Sequence, residues 1–426
     1  MLDIKYIREH SEEVQQNCVN RNVDVDINEL LELDASVREI NQQIDVLRTE
    51  RNTNSDQLKN TADKQSEEAQ SLIVRGKELK EEIATLEEVL GSKKDALSEL
   101  HLQVPNLTHP DAPIGKDDHD NVEISRYLEP TEFSFEAKDH VTLGKELDIL
   151  DFEAGAAVAG RGFYYLKNEW ALLEIALTQY TIQKCAEKGF IPMITPDLAR
   201  QEVLQGTGFN PRGESTQIYN IEGTDLSLIA TAEIPAAGYY RNHTFKKGEL
   251  ESPKKIVAYS HCFRTEAGSY GRESHGLYRV HQFAKVEMFI FCTPEQAAQL
   301  HEEMREIEEE ITQSLGIPYR VVDICTGDLG GPAYKKYDLE AWMPFRNDWG
   351  EITSASNVTD YQARRLQIKY INDNGDREYV HMLNGTAAAM SRLPLAIIEN
   401  YQQEDGSVFI PEVLQPYMGG VTKIER

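Results

Sequence analysis

The stretch 27–101 constrains the fold more than any other part of the sequence, because it contains neither proline nor an aromatic residue. Its apolar residues recur at intervals of three and four, first over 30–58 and again over 72–100. Such spacing places apolar side chains along one narrow seam, which is typical of helices that pack as a coiled coil. Polar, turn-forming residues at 59–66 separate the two runs. The sequence therefore predicts two long helices folded into an antiparallel hairpin.

Charge is distributed unevenly along this hairpin. Residues 27–50 and residues 81–101 each carry six acidic and two basic side chains, whereas residues 51–80 carry six basic and five acidic ones. The least acidic part is therefore the far end, where the two helices are joined. Two interpretations stay open at this point: a solvated spacer or dimerising coiled coil, and an arm that contacts an anionic partner at its tip.

Composition limits the possible classes of protein. The length of 426 residues indicates two or three domains, and the net charge of −28 repels polyanions at long range. A local basic patch could still bind nucleic acid, because phosphate contacts act within about 8 Å at physiological salt. Five scattered cysteines without a Cys-x-x-Cys pair argue against a disulfide framework or a structural zinc site. Without an apolar run of about 20 residues or a signal peptide, we expect a cytoplasmic protein with no membrane partner.

A proline-rich segment, 104–113, interrupts the helical pattern and marks a domain boundary. We expect a helical-hairpin arm over 1–110 and a second domain over 111–426. Strand-like and helical runs follow one another in the second domain, which predicts an α+β fold with an antiparallel sheet flanked by helices. The acidic run Glu302–Glu310 is expected to be a solvated helix face. The predicted strands are 189–196, Lys255–Phe263, Gln282–Phe291, Tyr319–Val322 and Tyr379–Leu383, and the main predicted helices are 165–188 and Ser391–Tyr401.

The densest polar stretch, 261–287, has two strand-like ends around a glycine-containing loop. Arg264 and Glu266 share one face of the first strand, because successive side chains of a strand alternate sides. By the same rule, Phe283 and Glu287, with Lys285 between them, share one face of the second strand. An arginine binds phosphate bidentately, and a flat ring can stack on a base. The alternative, a surface hairpin with scattered ion pairs, is disfavoured because apolar residues occupy the other face of the second strand.

This stretch resembles motif 2 of class II aminoacyl-tRNA synthetases, in the form found in seryl-tRNA synthetases. Other segments resemble further elements of that family, in the expected order and over nearly the whole chain. The hairpin is similar to the tRNA-binding arm, 165–188 to the dimer-forming motif 1, Thr231–Glu233 to the serine-binding loop, Glu351–Ser354 to the strand that meets ATP and its metal, and Leu383–Thr386 with Arg392 and Glu399–Tyr401 to motif 3.

The resemblance implies how ATP would be bound. Arg264 would hold the α-phosphate and the charge that develops as the adenylate forms, and Arg392 would lie near the γ-phosphate. These two arginines are the implied catalytic residues. Phe283 would stack on the adenine, and Glu266 would contact its amino group. The full implied ATP-binding set is Arg264, Thr265, Glu266, Val280, Phe283, Glu351, Ile352, Thr353, Ser354 and Arg392.

The resemblance also implies a metal ion and a serine pocket. Glu351 and Ser354 would ligate a Mg²⁺ that bridges the ATP phosphates, whereas no zinc is expected. Thr386, where the family more often has serine, would meet the serine hydroxyl. Polar groups aimed at that hydroxyl would be left unpaired when alanine binds. The implied serine-binding residues are Thr231, Ala232, Glu233, Arg264, Glu287, Asn384 and Thr386.

A two-step reaction follows from the resemblance: serine and ATP give seryl-adenylate and pyrophosphate, and the seryl group then passes to the 3′ end of tRNA(Ser), with tRNA(Sec) as a further acceptor. The arm would clasp the tRNA by shape, and Arg272 and Arg279 would meet its acceptor stem. Motif 1 would form a homodimer. Two alternatives stay open: a related ligase that loads an amino acid onto a carrier protein, and a non-catalytic coiled-coil interaction protein.

Overall fold

The computed structural model describes residues 1–63, 65–209, 217–266 and 275–426. The chain divides into two compact units, Met1–Pro105 and Asn106–Arg426, a few residues before the boundary predicted from the sequence. Searching the described helices for a segment with the length and apolarity of a membrane span finds none.

Both units contain helices, and all the strands that the structure describes lie in the second unit. The helices are α1 (Ile4–Glu9), α2 (Ser11–Asn20), α3 (Ile27–Asn60), α4 (Glu67–Gln103), α5 (His140–Glu146), α6 (Phe152–Ala159), α7 (Asn168–Glu187), α8 (Gln201–Thr207), α9 (Glu233–Gly238), α10 (Pro294–Ser314), α11 (Tyr361–Leu366) and α12 (Leu393–Asn400). The strands are β1 (Val122–Tyr127), β2 (Leu150–Asp151), β3 (Tyr165–Leu166), β4 (Ile191–Ile194), β5 (Leu198–Arg200), β6 (Leu226–Leu228), β7 (Thr244–Phe245), β8 (Lys254–Phe263), β9 (Gln282–Cys292), β10 (Tyr319–Asp323), β11 (Lys335–Met343), β12 (Asp348–Thr359), β13 (Lys369–Ile371), β14 (Arg377–Tyr379), β15 (His381–Ala389), β16 (Val408–Phe409) and β17 (Lys423–Ile424).

The first unit contains the hairpin that the heptad spacing predicts. Helices α3 and α4 pack along their length around a seam of buried apolar side chains: Val37, Ile44, Ile83 and Leu90. Each helix starts at a polar cap, because the side chains of Asp26 and Ser66 accept hydrogen bonds from backbone N–H groups of the first turns. Near the tip the seam becomes polar, and the buried amide of Asn54 donates a hydrogen bond to the carbonyl oxygen of Leu72 at 2.8 Å.

The second unit is built on a mostly antiparallel sheet, which confirms the predicted α+β class. Eight of the described strands form one sheet in the order β1-β10-β11-β12-β15-β9-β8-β4, in which only the β4–β8 pair is parallel, and the other nine form four smaller sheets. Helices α7, α10 and α12 share one large apolar core with one face of this sheet, here called the back face. Helices α9 and α11 cover part of the opposite, front face through a second apolar cluster.

Two predicted secondary-structure elements have different boundaries in the structure. The predicted strand Tyr379–Leu383 is split, because β14 ends at Tyr379 and β15 begins at His381. Much of β15 consists of alanine, glycine and asparagine, whose low strand propensity hides a strand that is buried on both faces. Helix α12 begins at Leu393 with Arg392 at its N-cap and not at Ser391, although Pro394 does lie in its first turn.

The run Glu302–Glu310 is not a uniformly solvated face. It lies on α10, and Glu308 is fully buried against the back face of the sheet, where its Oε2 accepts a hydrogen bond from Thr353 Oγ1 at 3.0 Å. Because glutamates and apolar residues alternate irregularly on this helix, the sequence did not indicate which carboxyl group points inward.

Candidate active site

A β-bulge on β12 brings Glu351 and Ser354 to the same face of the sheet. Side chains three residues apart lie on opposite faces of a regular strand. Here Leu339 of β11 pairs with Thr353 and the next residue, Glu340, pairs with Glu351, so Ile352 is an extra residue in β12. The bulge therefore places the Glu351 carboxylate and the Ser354 hydroxyl on the front face.

A second bulge lies in β15, directly after Thr386. Thr386 pairs with Glu287 of β9, whereas Ala388 pairs with Val286, so Ala387 is the extra residue. Thr386 and Glu287 consequently lie opposite each other on the front face, in the part that α9 and α11 leave uncovered.

At one end of this uncovered area lie an arginine and an aromatic ring. The guanidinium of Arg264 lies over the ring of Phe283, with 5.3 Å between Cζ and the ring centroid, and its Nε donates a hydrogen bond to the carbonyl oxygen of Ala230 at 3.4 Å. Glu266 has a left-handed backbone with φ of 51°, and its carboxylate lies 3.7 Å from Arg279 Nη1. The predicted alternation holds for Phe283 and Glu287 on β9, but it does not hold for Arg264 and Glu266, because β8 ends at Phe263 and both residues follow it.

A second arginine is held by a carboxylate and a ring. Arg392 Nη1 donates hydrogen bonds to the Glu351 carboxylate at 3.0 Å and to its backbone oxygen at 3.1 Å, and the guanidinium lies 4.5 Å from the ring centroid of Tyr278. Burial alone would raise the pKa of Glu351, but the charges of Arg392 and Lys336 outweigh it and hold that pKa at about 2. Glu351 is therefore an anion at neutral pH, ready to bind a cation.

At the other end lies a second carboxylate in a polar cradle. Glu233 Oε1 accepts hydrogen bonds from Gln362 Nε2 at 2.6 Å and from Asn384 Nδ2 at 3.1 Å. Burial raises the pKa of Glu233 to about 7, and the nearby Glu287 adds to the increase. The hydroxyl of Thr231 accepts a hydrogen bond from the Glu233 backbone N–H at 3.2 Å, so it also fixes the first turn of α9.

Between these two ends lies a buried group of three side chains, Lys285, Glu287 and Thr386. Lys285 Nζ is 2.5 Å from Glu287 Oε2, and the same oxygen accepts a hydrogen bond from Thr386 Oγ1 at 3.2 Å. Lys285 Nζ also lies 3.5 Å from Thr386 Oγ1. Strand alternation predicts Lys285 on this face, although Lys285 is not among the predicted site residues.

Most of the residues predicted for ATP lie around one front-face cavity, and Thr386 lines it as well. Two further serine candidates, Glu233 and Asn384, line a neighbouring cavity with Lys336 and Ser356. The sequence analysis missed Lys285, Tyr278 and Gln362 as site residues, and Gln362 has no local signal because it reaches Glu233 across 129 positions of the chain. The predicted residues lining the first cavity are Arg264, Glu266, Val280, Phe283, Glu351, Ile352, Thr353, Ser354, Thr386 and Arg392.

Three histidines in the motif 2 region each have a fixed partner. His261 Nδ1 lies 3.0 Å from Asp197, His275 Nε2 lies 2.6 Å from Asp139, and His281 Nδ1 lies 2.7 Å from the Tyr219 hydroxyl. These contacts hold the two strands and the end of the loop in place. The predicted acceptor-stem residue Arg272 falls outside the described residues.

The sequence matches two family descriptions that fit this architecture. Residues 217–401 match the "tRNA synthetase class II core domain (G, H, P, S and T)", and residues 1–108 match the "Seryl-tRNA synthetase N-terminal domain". The mostly antiparallel sheet, with its front-face cavity, is therefore the catalytic core of a class II aminoacyl-tRNA synthetase.

Relatives that match over the full length of the chain identify the family within this class. The chain is 52% identical over 421 residues to the serine–tRNA ligase of Treponema denticola, covering 98% of this chain and 99% of that protein. It also resembles the crystal structures of seryl-tRNA synthetase from Pyrococcus horikoshii complexed with ATP (TM-score 0.88, 39% identity, 100% of this chain and 99% of that one) and of the cytoplasmic serine–tRNA ligase from Naegleria fowleri in complex with AMP (TM-score 0.84, 33% identity, 100% and 99%). The chain belongs to the seryl-tRNA synthetase family.

Proposed function

We propose that the protein activates serine with ATP and transfers the seryl group to the 3′ end of tRNA. The observation that carries this proposal is the order of charges on the front face. Arg264 and Arg392 line the front-face cavity, which favours polyphosphate there, and the charges of Glu233 and Glu287 lie close together at the other end, which favours an ammonium group. The full-length likeness to serine–tRNA ligases supports the same substrates.

In the first step a serine carboxylate oxygen attacks the α-phosphorus of ATP, a P–O bond forms, and pyrophosphate leaves. Arg264 stabilises the negative charge that grows on the α-phosphate, and Arg392 binds near the γ-phosphate, so the protein needs no nucleophile of its own. Phe283 stacks on the adenine, and Glu266 contacts the adenine amino group. The other proposed ATP contacts are Thr265, Val280, Ile352 and Thr353.

The front face also fits a Mg²⁺ that accompanies ATP. This ion prefers hard oxygen ligands, which the Glu351 carboxylate and the Ser354 hydroxyl supply on one face. Nearby Asp338 has one buried oxygen, Oδ1, that lacks a hydrogen-bond partner within the described part of the chain. A bound Mg²⁺ would neutralise phosphate charge, and we propose that Glu351 and Ser354 hold it.

The serine pocket uses the acidic end of the site. Glu233 and Glu287 bind the ammonium group of serine, with Thr231, Ala232 and Asn384 shaping the pocket around it. Thr386 meets the serine hydroxyl, and Arg264 is within reach of the carboxylate. Because burial raises the pKa of Glu233 to about 7, an arriving ammonium group also favours the ionised form of that residue.

The second step needs tRNA in the same site. We propose that the α3–α4 arm clasps tRNA(Ser), with tRNA(Sec) as a further acceptor, by shape and backbone contacts. Arg279, at the edge of the front-face cavity, is proposed to meet the acceptor stem. The ribose hydroxyl then attacks the seryl carbonyl carbon, an ester bond forms, and AMP leaves with the hydroxyl proton on its phosphate.

A homodimer through the motif 1 region is part of the proposal, as is a location in the cytoplasm. Leu172 and Ile175 of α7 are exposed, and so are Ile191 and Ile194 of β4, a strand at the edge of the sheet. An exposed apolar group beside an unpaired strand edge favours association with another chain.

Amino-acid-dependent ATP–pyrophosphate exchange tests the proposal directly. We expect rapid exchange with serine and only weak exchange with threonine, alanine or glycine, at both low and high salt. A transcript of tRNA(Ser) should then be charged. Exchange without charging would favour a different acceptor, such as a carrier protein, and no exchange with any of the four amino acids in folded protein would contradict the proposal.

A further inference from the structure

Lys285 lies between the two halves of the proposed site. It lines the front-face cavity together with Arg264 and Glu351, and it contacts both Glu287 and Thr386. Its side chain is only 7% exposed. Lysine is seldom this buried unless it is paired, and solvation cannot explain its position. Its interactions with the neighbouring side chains must therefore explain it.

Charge balance supplies the first part of that reason. Two carboxylates, Glu233 and Glu287, face the region where we propose that serine binds, and Arg264 and Lys285 bring two positive charges to the same region. Serine enters as a zwitterion and adds no net charge. Without Lys285 the pocket would carry an excess negative charge, which would disfavour the serine carboxylate and leave a buried carboxylate uncompensated.

Hydrogen-bond direction supplies the second part. The carboxylate Oε2 of Glu287 can only accept, so the Thr386 hydroxyl donates its one proton to it. The ammonium of Lys285 can only donate, and it lies 3.5 Å from the same hydroxyl oxygen. Together the two charges fix the hydroxyl as a donor toward Glu287. The lone pair of Thr386 that remains can then accept a hydrogen bond from a substrate hydroxyl.

We propose that Lys285 is a positioning residue that sets serine specificity, by orienting the Thr386 hydroxyl and balancing the charge of Glu287. This inference rests on the proposed function and assigns a role to a residue outside the predicted set. Alanine offers no hydroxyl to the oriented acceptor. Lys285 thereby contributes to the discrimination between serine and alanine without touching the reacting atoms.

The test compares Lys285→Met with the wild type in ATP–pyrophosphate exchange with serine and with alanine. We expect the KM for serine to rise by about tenfold or more, while the KM for ATP changes by less than about threefold. The serine-to-alanine ratio of kcat/KM should fall by a similar factor. Lys285→Arg keeps the positive charge, so its KM for serine should lie close to that of the wild type. Its serine-to-alanine ratio of kcat/KM should stay below the wild-type ratio, because the planar guanidinium cannot take the position of the ammonium group.

A double-mutant cycle tests whether Lys285 acts through Thr386. If it does, Lys285→Met should lower the serine-to-alanine ratio in the wild-type background but change it little once Thr386→Ala is present. Lys255→Met is the matched control, because Lys255 lies on the neighbouring strand β8 and forms a 2.6 Å ion pair with Glu303 of α10, away from the site. That variant should leave both KM values and the ratio unchanged.

The outcomes separate this inference from the proposed function. Wild-type exchange with serine together with an unchanged KM and ratio in Lys285→Met would overturn the role of Lys285 and leave the function standing. If Lys285→Met lowers kcat/KM equally for serine and alanine, or if Lys255→Met lowers it as much as Lys285→Met does, Lys285 contributes only a structural ion pair. If Lys285→Met does not fold, an unchanged serine-to-alanine ratio in Lys285→Arg overturns the hydroxyl-orienting role. No wild-type exchange with serine would remove the function, and this inference with it.

Discussion

The arm and the catalytic sheet both contain many ion pairs, but they use them differently. On the arm, Arg75 pairs with Glu50, Glu78 and Glu82, and all four side chains are between 37% and 54% exposed. On the sheet, Lys285 and Glu287 are 7% and 3% exposed. Exposed pairs contribute little to stability, whereas removing one partner of a buried pair leaves a costly charge behind. Charge therefore maintains solubility on the arm and binding geometry on the sheet.

The largest expected effect comes from removing a site charge that faces the reaction. We expect Arg264→Ala to lower kcat for serine-dependent exchange by about 10²–10³, because a group that stabilises the developing charge in the transition state is lost. The thermal midpoint should change little, since the described contacts of the Arg264 side chain are weak: a long hydrogen bond to Ala230 and the ring of Phe283. If Arg264→Ala kept more than a tenth of the activity, charge on the sheet would not be more important for function than charge on the arm.

A buried apolar residue on the arm should affect stability and not chemistry. Ile83 is 4% exposed in the seam, so we expect Ile83→Ala to destabilise the arm by about 2–4 kcal/mol. Under the proposed function, tRNA charging should fall while pyrophosphate exchange stays within twofold of the wild type. Chemical denaturation monitored by circular dichroism, run beside both assays, checks this. A parallel loss of exchange would show that the arm and the sheet are not independent.

A third variant concerns a buried carboxyl that has no ion-pair partner in the part of the chain the structure describes. Burial raises the pKa of Glu308 well above its usual range. The unfolded chain therefore releases this proton at lower pH than the folded chain does, so the carboxyl contributes stability below about pH 4 that is lost as the pH rises toward the folded-state pKa. Glu308→Gln removes this dependence and keeps an acceptor for Thr353.

We therefore expect Glu308→Gln to raise the thermal midpoint at pH 8, and the gain to shrink as the pH approaches 5. Each kcal/mol should correspond to about 1.5 °C in a unit of this size. Glu303→Gln, which changes a partly exposed carboxylate on the same helix, is the matched control and should show no such gain at high pH. A gain for Glu308→Gln that did not depend on pH would contradict a raised pKa.

The same contrast explains what the sequence could predict. The arm was predictable because its contacts repeat every three or four residues within each helix, and the alternation on β9 placed Phe283, Lys285 and Glu287 on one face. The two bulges were not predictable, because Ile352 and Ala387 become extra residues only in register with their neighbouring strands. Long-range partners were missed for a related reason: the contact between Asn384 and Glu233 spans 151 positions, and no local pattern records it.

The smallest effect is expected where charge is most exposed. Arg75→Ala removes three ion pairs at once, yet each is in contact with solvent and screened by salt. We expect no measurable change in exchange or in the thermal midpoint at 0.15 M salt. Any loss of tRNA charging should then reflect contact with the tRNA backbone, and it should shrink as salt rises, because neutralising a phosphate releases counterions. Glu50→Gln, which leaves Arg75 in place but removes its nearest partner, should not lower charging. If Glu50→Gln and Arg75→Ala lower tRNA charging equally, the ion pair itself, and not contact of Arg75 with tRNA, is what charging requires. An exposed ion pair on the arm would then contribute more than its exposure to solvent predicts.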